Sequence, residues 1–336
     1  MTITRKELVE RAFHNEKTER IPVGFWHHFL QDEIGADAFS HPELTGKVLE
    51  GQEKFYREFQ PDMIKIMTDG FFSYPVEDLK KPLSSPKNLS SLKLLGKDSD
   101  WFRAQISYAK ELVNRYGKDV PLFYNLFAAP RTIEFMQEAA GHTVDLTEWI
   151  HENPEETAHV FDSISEDYAL LAKALIEEAG VDGIYLSVNN VDRNRVTEEE
   201  YKKVVSPFEL KILEAANRAG GNNILHICGY HGFHNHLSWY KDYPFLAVNW
   251  AAVVEGVPLK EGKELFGGRA VIGGFGQTEN DVLYKGSEEE IRKETAAILD
   301  EAGTRGIILG ADCTIPRDTD VSHLEWVREA ARDYAK

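Results

Sequence analysis

The sequence predicts an α/β fold, a single TIM-type (β/α)8 barrel, and three observations carry that expectation. Eight short β-rich runs recur along 336 residues, most of them nearly continuous in apolar side chains. That is the pattern of parallel strands covered on both faces. Each run is followed by a polar turn and an amphipathic segment rich in Ala, Glu and Lys. The turn after the first run reads WHHFLQDEIG and lacks the glycine-rich phosphate loop of a doubly wound sheet, the structural alternative.

In order, the runs are IPVGFW (Ile21 to Trp26), MIKIM (Met63 to Met67), PLFYNLF (Pro121 to Phe127) and GIYLSV (Gly183 to Val188). NILHIC (Asn223 to Cys228), FLAVNW (Phe245 to Trp250), AVIGGF (Ala270 to Phe275) and IILGAD (Ile307 to Asp312) follow. Between them, Thr157 to Glu178 has helical apolar spacing, follows Asn153-Pro154 and meets a stop at Gly180. Ser287 to Glu301 opens SEEE, a cap followed by carboxylates that suit a helix dipole. The Ser/Pro/Lys-rich stretch Lys80 to Leu94 reads as a surface loop inserted after the second strand, so residues 1–336 are expected to form one domain.

Charge narrows the partners. The 38 Lys+Arg against 56 Asp+Glu leave a net charge of −18, which repels nucleic-acid phosphate and anionic lipid alike. A small molecule or another protein is the expected partner. No stretch approaches the roughly 18 apolar residues of a membrane span, and the first residues hold no signal-peptide core, so a soluble cytoplasmic protein is expected. Two cysteines, Cys228 and Cys313, are too few for a disulfide framework and suit a reducing compartment.

Reactive side chains of such a barrel project from the carboxyl ends of its strands. There the sequence places His27, His28, Asp69, Arg131, Asn189, Asn190, Asp192, Arg193, His226, Cys228, Asn249, Gln277, Asp312 and Cys313. His226 and Cys228 are two apart on a strand and point to one side, where they can hold one ion. Cys313 could close the set. Imidazole and two thiolates suit Zn2+ and leave its fourth position open, as catalytic zinc requires. His231, His234 and His236 follow closely; a helix is expected to begin there, with histidines that face solvent or cavity without binding metal. Asn189 and Asn190 could bind a polar substrate group, and Arg131 an anionic one.

The segments ILHICG (Ile224 to Gly229) and LGADCTIP (Leu309 to Pro316) resemble the zinc signature of methylcobalamin:coenzyme M methyltransferases, a branch of the uroporphyrinogen decarboxylase superfamily. RIPVGFW, KIMTDGFFSYPVED, LFAAPRTIEFMQEAAG, FLAVNW and GRAVIGGFGQ extend the resemblance over nearly the whole chain. It implies a TIM-type barrel, zinc on His226, Cys228 and Cys313, a thiol substrate, and a corrinoid brought as free cobalamin or on a separate protein. A homodimer is also implied. The alternative is the decarboxylase activity on a tetrapyrrole, with Asp69 aligned to that branch's catalytic aspartate. Against it, the loop after the first run has no arginine but holds Asp32 and Glu33, the branch's tyrosine is replaced by Phe135 or Met136, and Asp312 stands for its carboxyl-terminal histidine. His28, Arg131, Asn189 and Asn190 are the expected substrate-binding residues.

Overall fold

The structure, a computed structural model, describes residues 3–229 and 232–334. Seven strands form one curled parallel sheet in chain order: β1 (Ile64–Ile66), β2 (Leu122–Phe127), β3 (Gly183–Val188), β4 (Ile224–Ile227), β5 (Ala247–Trp250), β6 (Ala270–Phe275) and β7 (Ile307–Ala311). Parallel neighbours cannot be joined by hairpins, so the connections cross over, mostly through α-helix; between β4 and β5 the described residues hold only a short 3-10 turn, Leu237–Tyr240. The strands are almost wholly buried, which explains their unbroken apolar sequences.

Two cores result from the alternation of side chains along each strand. Outward residues such as Ile66, Leu126, Leu186, Leu225, Val248 and Leu309 pack beneath the helices. Inward residues Met63, Phe123, Ile224, Ala247, Ala270 and Ile308 form a second cluster, joined by Val9, Ala12 and Phe13 of the helix Arg5–Phe13. Several of these start their strands, so that helix plugs the amino-terminal end of the sheet. Thr4 and Glu7 cap it reciprocally. Higher on the same inner face, register aligns Lys65 with Phe123, Asn125 with Tyr185, Ser187 with His226, and His226 with Asn249.

The eight expected strands are not formed as such. Ile21 to Trp26 is extended but makes one isolated bridge, Val23 to Leu309, instead of a ladder. It still lies between β7 and β1: Gly24 N–H donates to Leu309 O at 2.8 Å, and Asp62 N–H to Val23 O at 2.9 Å. Pro22 has no N–H to offer. The Val23 N–H goes instead to the carboxylate of Asp62 at 2.9 Å, itself gripped by both terminal nitrogens of Arg20 at 2.5 Å. Gly310 permits this approach, since a Cβ there would meet Gly24 O at 2.7 Å.

The helix expected over 157–178 runs Pro154–Ala174, continues as one wider turn through Ala179, and stops at Gly180 with φ 80°. Ser287 caps Glu288–Ala302 as its sequence indicates. Residues 80–94 include a short turn, Pro86–Leu89, with Leu83 and Leu89 buried; the Gln137 amide donates to the carbonyls of Leu79 and Lys81 at 2.6 and 2.9 Å. Among the described residues the expected helix is not formed over 233–236, and only a short 3-10 turn, Leu237–Tyr240, follows. That segment is pinned by side chains: His234 faces Glu255 at 3.4 Å, and the His236 ring meets Arg193 O at 3.1 Å. His231 lies outside the described residues. Among the described residues no helix is long and apolar enough to cross a membrane.

Candidate metal centre

His226 lies near the end of β4, Cys228 just past it, and Cys313 two residues past β7. Curling of the sheet brings the two strand ends together: one ligand atom from each of the three residues lies within 4.8 Å of the others. The Cys313 Sγ is 3.3 Å from His226 Nε2. In a tetrahedral zinc site with Zn–S near 2.3 Å, ligand atoms sit about 3.8 Å apart, so small side-chain movements would close this set on an ion. The donors fit: one imidazole nitrogen and two soft sulfurs, with a fourth position left over.

The histidine's tautomer is imposed from behind. Asn249 Nδ2 donates to the carbonyls of Ile272 at 2.8 Å and Ala311 at 3.1 Å, which turns Oδ1 the other way. Oδ1 accepts from Tyr185 OH and from His226 Nδ1, both at 2.6 Å. In the neutral imidazole the proton is therefore on Nδ1, and the Nε2 lone pair faces the sulfurs. Backbone bonds steady the cysteines. Cys228 N–H donates to Val188 O at 2.8 Å, and its carbonyl accepts from Asn235 Nδ2 at 2.9 Å. Asp312, beside Cys313, accepts from Val253 N–H at 2.8 Å; burial pushes its carboxyl up to about 7, against the pull of those amides. A hydrogen bond from Cys228, opposed by burial and aided by His226 and Lys65, holds the Cys313 thiol well below its usual range.

A cavity of about 480 Å3 opens over the centre, a size typical of small-molecule sites. Its buried lining includes Lys65, Asn125, Ser187, His226 and Cys313, with Cys228 half-buried beside them. Phe72, Phe127 and Phe135 form an aromatic wall, with ring centroids 4.7 to 5.5 Å apart. Arg131, Arg317 and Glu33 lie at more accessible positions. Asn125 Oδ1 and Gln277 Oε1 are buried acceptors with no hydrogen-bond partner among the described residues, and both residues line this cavity.

The other residues singled out in the sequence divide. His28 lines the cavity, its Nδ1 donating to Asp69 at 2.7 Å. Arg131 also lines it, paired with Glu134 and stacked 4.5 Å over the Phe135 ring. Asp69 does not reach the cavity: its carboxylate is taken up by His28 and the N–H groups of Phe29 at 2.6 Å and Leu30 at 3.1 Å. Burial would raise its pKa, yet these donors hold it below the ordinary aspartate range. Asn189 and Asn190 also lie off the cavity lining. Asn189 Oδ1 accepts from Val191 N–H, while the Asn190 amide joins Tyr240 OH and His236 N–H. Val191, a β-branched residue, is held there at φ 66°.

Sequence reasoning passed over Lys65 and gave Asn249 no task. Both carry a signal: Lys65 is a charge inside the apolar run MIKIM, and Asn249 an amide inside FLAVNW.

Comparison with known proteins agrees with this layout. A 226-residue stretch, 67% of this chain and 62% of the relative, is 23% identical to the Methylcobamide:CoM methyltransferase MtbA of Methanosarcina acetivorans. The chain thus matches somewhat less than two thirds of that relative's length. The Methanosarcina mazei protein of the same name is 22% identical over 256 residues, 76% of this chain and 71% of that one. A solved methyltransferase from Methanosarcina mazei superposes with a TM-score of 0.72 at 19% identity, covering 99% of both chains, and so shares the fold. The model of the uroporphyrinogen decarboxylase (URO-D) family matches residues 4–334, and the chain belongs to that family.

Proposed function

We propose that this protein is a zinc-dependent methyltransferase that moves a methyl group between a corrinoid and a thiol. The observation that carries the reading is the convergence of His226, Cys228 and Cys313 at the base of one cavity. The relatives named as methylcobamide:CoM methyltransferases support the reaction class. Zinc held there would supply one thing, a deprotonated yet nucleophilic substrate sulfur at neutral pH.

The chain's own residues do the rest. Asn249 keeps the His226 Nε2 free of a proton, and Tyr185 orients Asn249. The aromatic wall of Phe72, Phe127 and Phe135 shields the sulfur from water and gives the apolar methyl group a surface to approach. Arg131 is the group for an anionic end of the substrate, and the Asn125 and Gln277 acceptors are open to its polar donors. His28 borders the same space, and Asp69 fixes it there. The methyl carrier would be free cobalamin or a separate corrinoid protein. A reducing, cytoplasmic setting suits the two thiols.

The decarboxylase alternative loses support with Asp69 placed behind His28 and the Phe29 and Leu30 amides instead of on the cavity wall. Incubation of zinc-loaded enzyme with methylcobalamin and a panel of thiols tests the proposal. Loss of methyl–cobalt absorbance with S-methyl product is expected, abolished in Cys228→Ala and Cys313→Ala. No transfer to any thiol, together with conversion of uroporphyrinogen to coproporphyrinogen, would reverse the assignment.

A further inference from the structure

Lys65 is mid-strand on β1, inside the curled sheet and only 5% exposed. Burying an ammonium carries a large desolvation penalty, and burial indeed pushes its pKa below the usual lysine value. Its Nζ lies 4.4 Å from the Tyr185 ring centroid and 5.3 Å from that of Trp26. These cation–π contacts return part of the penalty. The opposite charges acting on it are Cys313 and Cys228, then Asp69. The Asp69 carboxylate is already engaged by His28 and two amides, which leaves the sulfurs of the metal centre as the anions that matter most. Tyr185 couples the two sites, since its ring also stacks on His226 at 5.1 Å and its hydroxyl donates to Asn249.

A charge count sharpens this. A divalent ion, two thiolates and a neutral imidazole sum to zero, so the centre itself needs no further cation. Lys65 is then one positive charge on the cavity wall in surplus over the ligand set. A neutral fourth ligand leaves that surplus unmatched, whereas an anionic one completes it.

We propose that Lys65 is a positioning residue that selects an anionic ligand, a thiolate, for the fourth position of the centre. The inference rests on the metal-centre reading above. As a thiol binds, its S–H bond breaks, the sulfur joins the metal and the proton leaves to buffer.

Cobalt-loaded protein tests this without any turnover, because thiolate-to-cobalt bands report the fourth ligand directly. The probes are Co2+ alone, 2-mercaptoethanol, which has no second charge for Arg131 or Arg317 to bind, and neutral imidazole. Lys65→Met is expected to bind Co2+ within about threefold of wild type or more tightly, and imidazole within about threefold. Its affinity for 2-mercaptoethanol falls at least about tenfold, and Lys65→Arg restores it to within about threefold. Equal thiol binding in Lys65→Met, or parallel loss of thiol and imidazole, overturns the proposal while leaving the metal reading intact. Wild-type protein that takes up no Co2+ overturns both. Should Lys65→Met not fold by circular dichroism, Lys65→Gln replaces it with the same expectations. Wild type alone gives a further check: thiol binding releases about one proton and imidazole none, and thiol bound without proton release contradicts the inference.

Discussion

His226 Nδ1 and Asn249 Oδ1 lie 2.6 Å apart, and the direction of that hydrogen bond is settled by two backbone carbonyls on the far side of the amide. Removing Asn249 releases the imidazole from a single tautomer and leaves the carbonyls of Ile272 and Ala311 without their donor. Asn249→Leu is therefore expected to weaken zinc binding by about 10- to 100-fold, the usual effect of losing a partner behind a metal ligand. Competition against a chromophoric chelator measures it. Wild-type affinity in the variant would show that Asn249 does not orient His226.

Asp62 ties the first segment to the start of β1 by bonding the Val23 N–H, and it holds both terminal nitrogens of Arg20, at 1% exposure. Asp62→Ala leaves a buried N–H and a partly buried guanidinium without partners. A loss of about 3 kcal/mol in urea unfolding is expected. A loss under about 1 kcal/mol would mean that the β7 contacts of the first segment suffice.

Asp69 receives three hydrogen bonds and, despite burial, keeps a pKa below the usual aspartate value. Its stabilisation is present at neutral pH and is lost as pH falls through that depressed value. Asp69→Ala should lower stability by about 3 kcal/mol and disturb His28, yet still bind a full equivalent of metal. Retained stability with activity abolished would instead make Asp69 a catalytic group.

Glu209 is buried, accepts from Tyr243 OH at 2.6 Å and Tyr201 OH at 2.7 Å, and has its Oε1 unpartnered among the described residues. Burial, against the pull of those hydroxyls, raises its pKa from 4.5 to about 7. Between those values the folded state keeps a proton that the unfolded chain has released. Its contribution to stability therefore falls as pH rises from about 4.5 to about 7 and is level above. In Glu209→Gln this slope disappears, so wild type minus variant should decline by up to about 3 kcal/mol over that window. A difference that does not change with pH contradicts the assignment.

Much of this was legible in the chain. Seven of the eight apolar runs became strands because parallel strands buried on both faces leave few other sequences that fit. The meeting of His226, Cys228 and Cys313 could be read because a two-residue spacing on a strand keeps His226 and Cys228 on one side, and one other cysteine remained. The first run misled because the partner of the Val23 N–H is an aspartate 39 residues away, which no local pattern shows. Asn189 and Asn190 lie past the end of β3 as expected, but the chain bends at Val191 and turns their amides into loop bonds. Asn249 depends on carbonyls from β6 and β7, and its role appears only once those strands are adjacent.

Zinc K-edge X-ray absorption on stoichiometrically loaded protein is the most direct test of the proposal that His226, Cys228 and Cys313 together hold one ion. One zinc per chain is expected, with two sulfurs near 2.3 Å and nitrogen or oxygen near 2.0–2.1 Å, reduced to a single sulfur in Cys228→Ala or Cys313→Ala. A zinc shell without sulfur, or one unchanged by both substitutions, would contradict it.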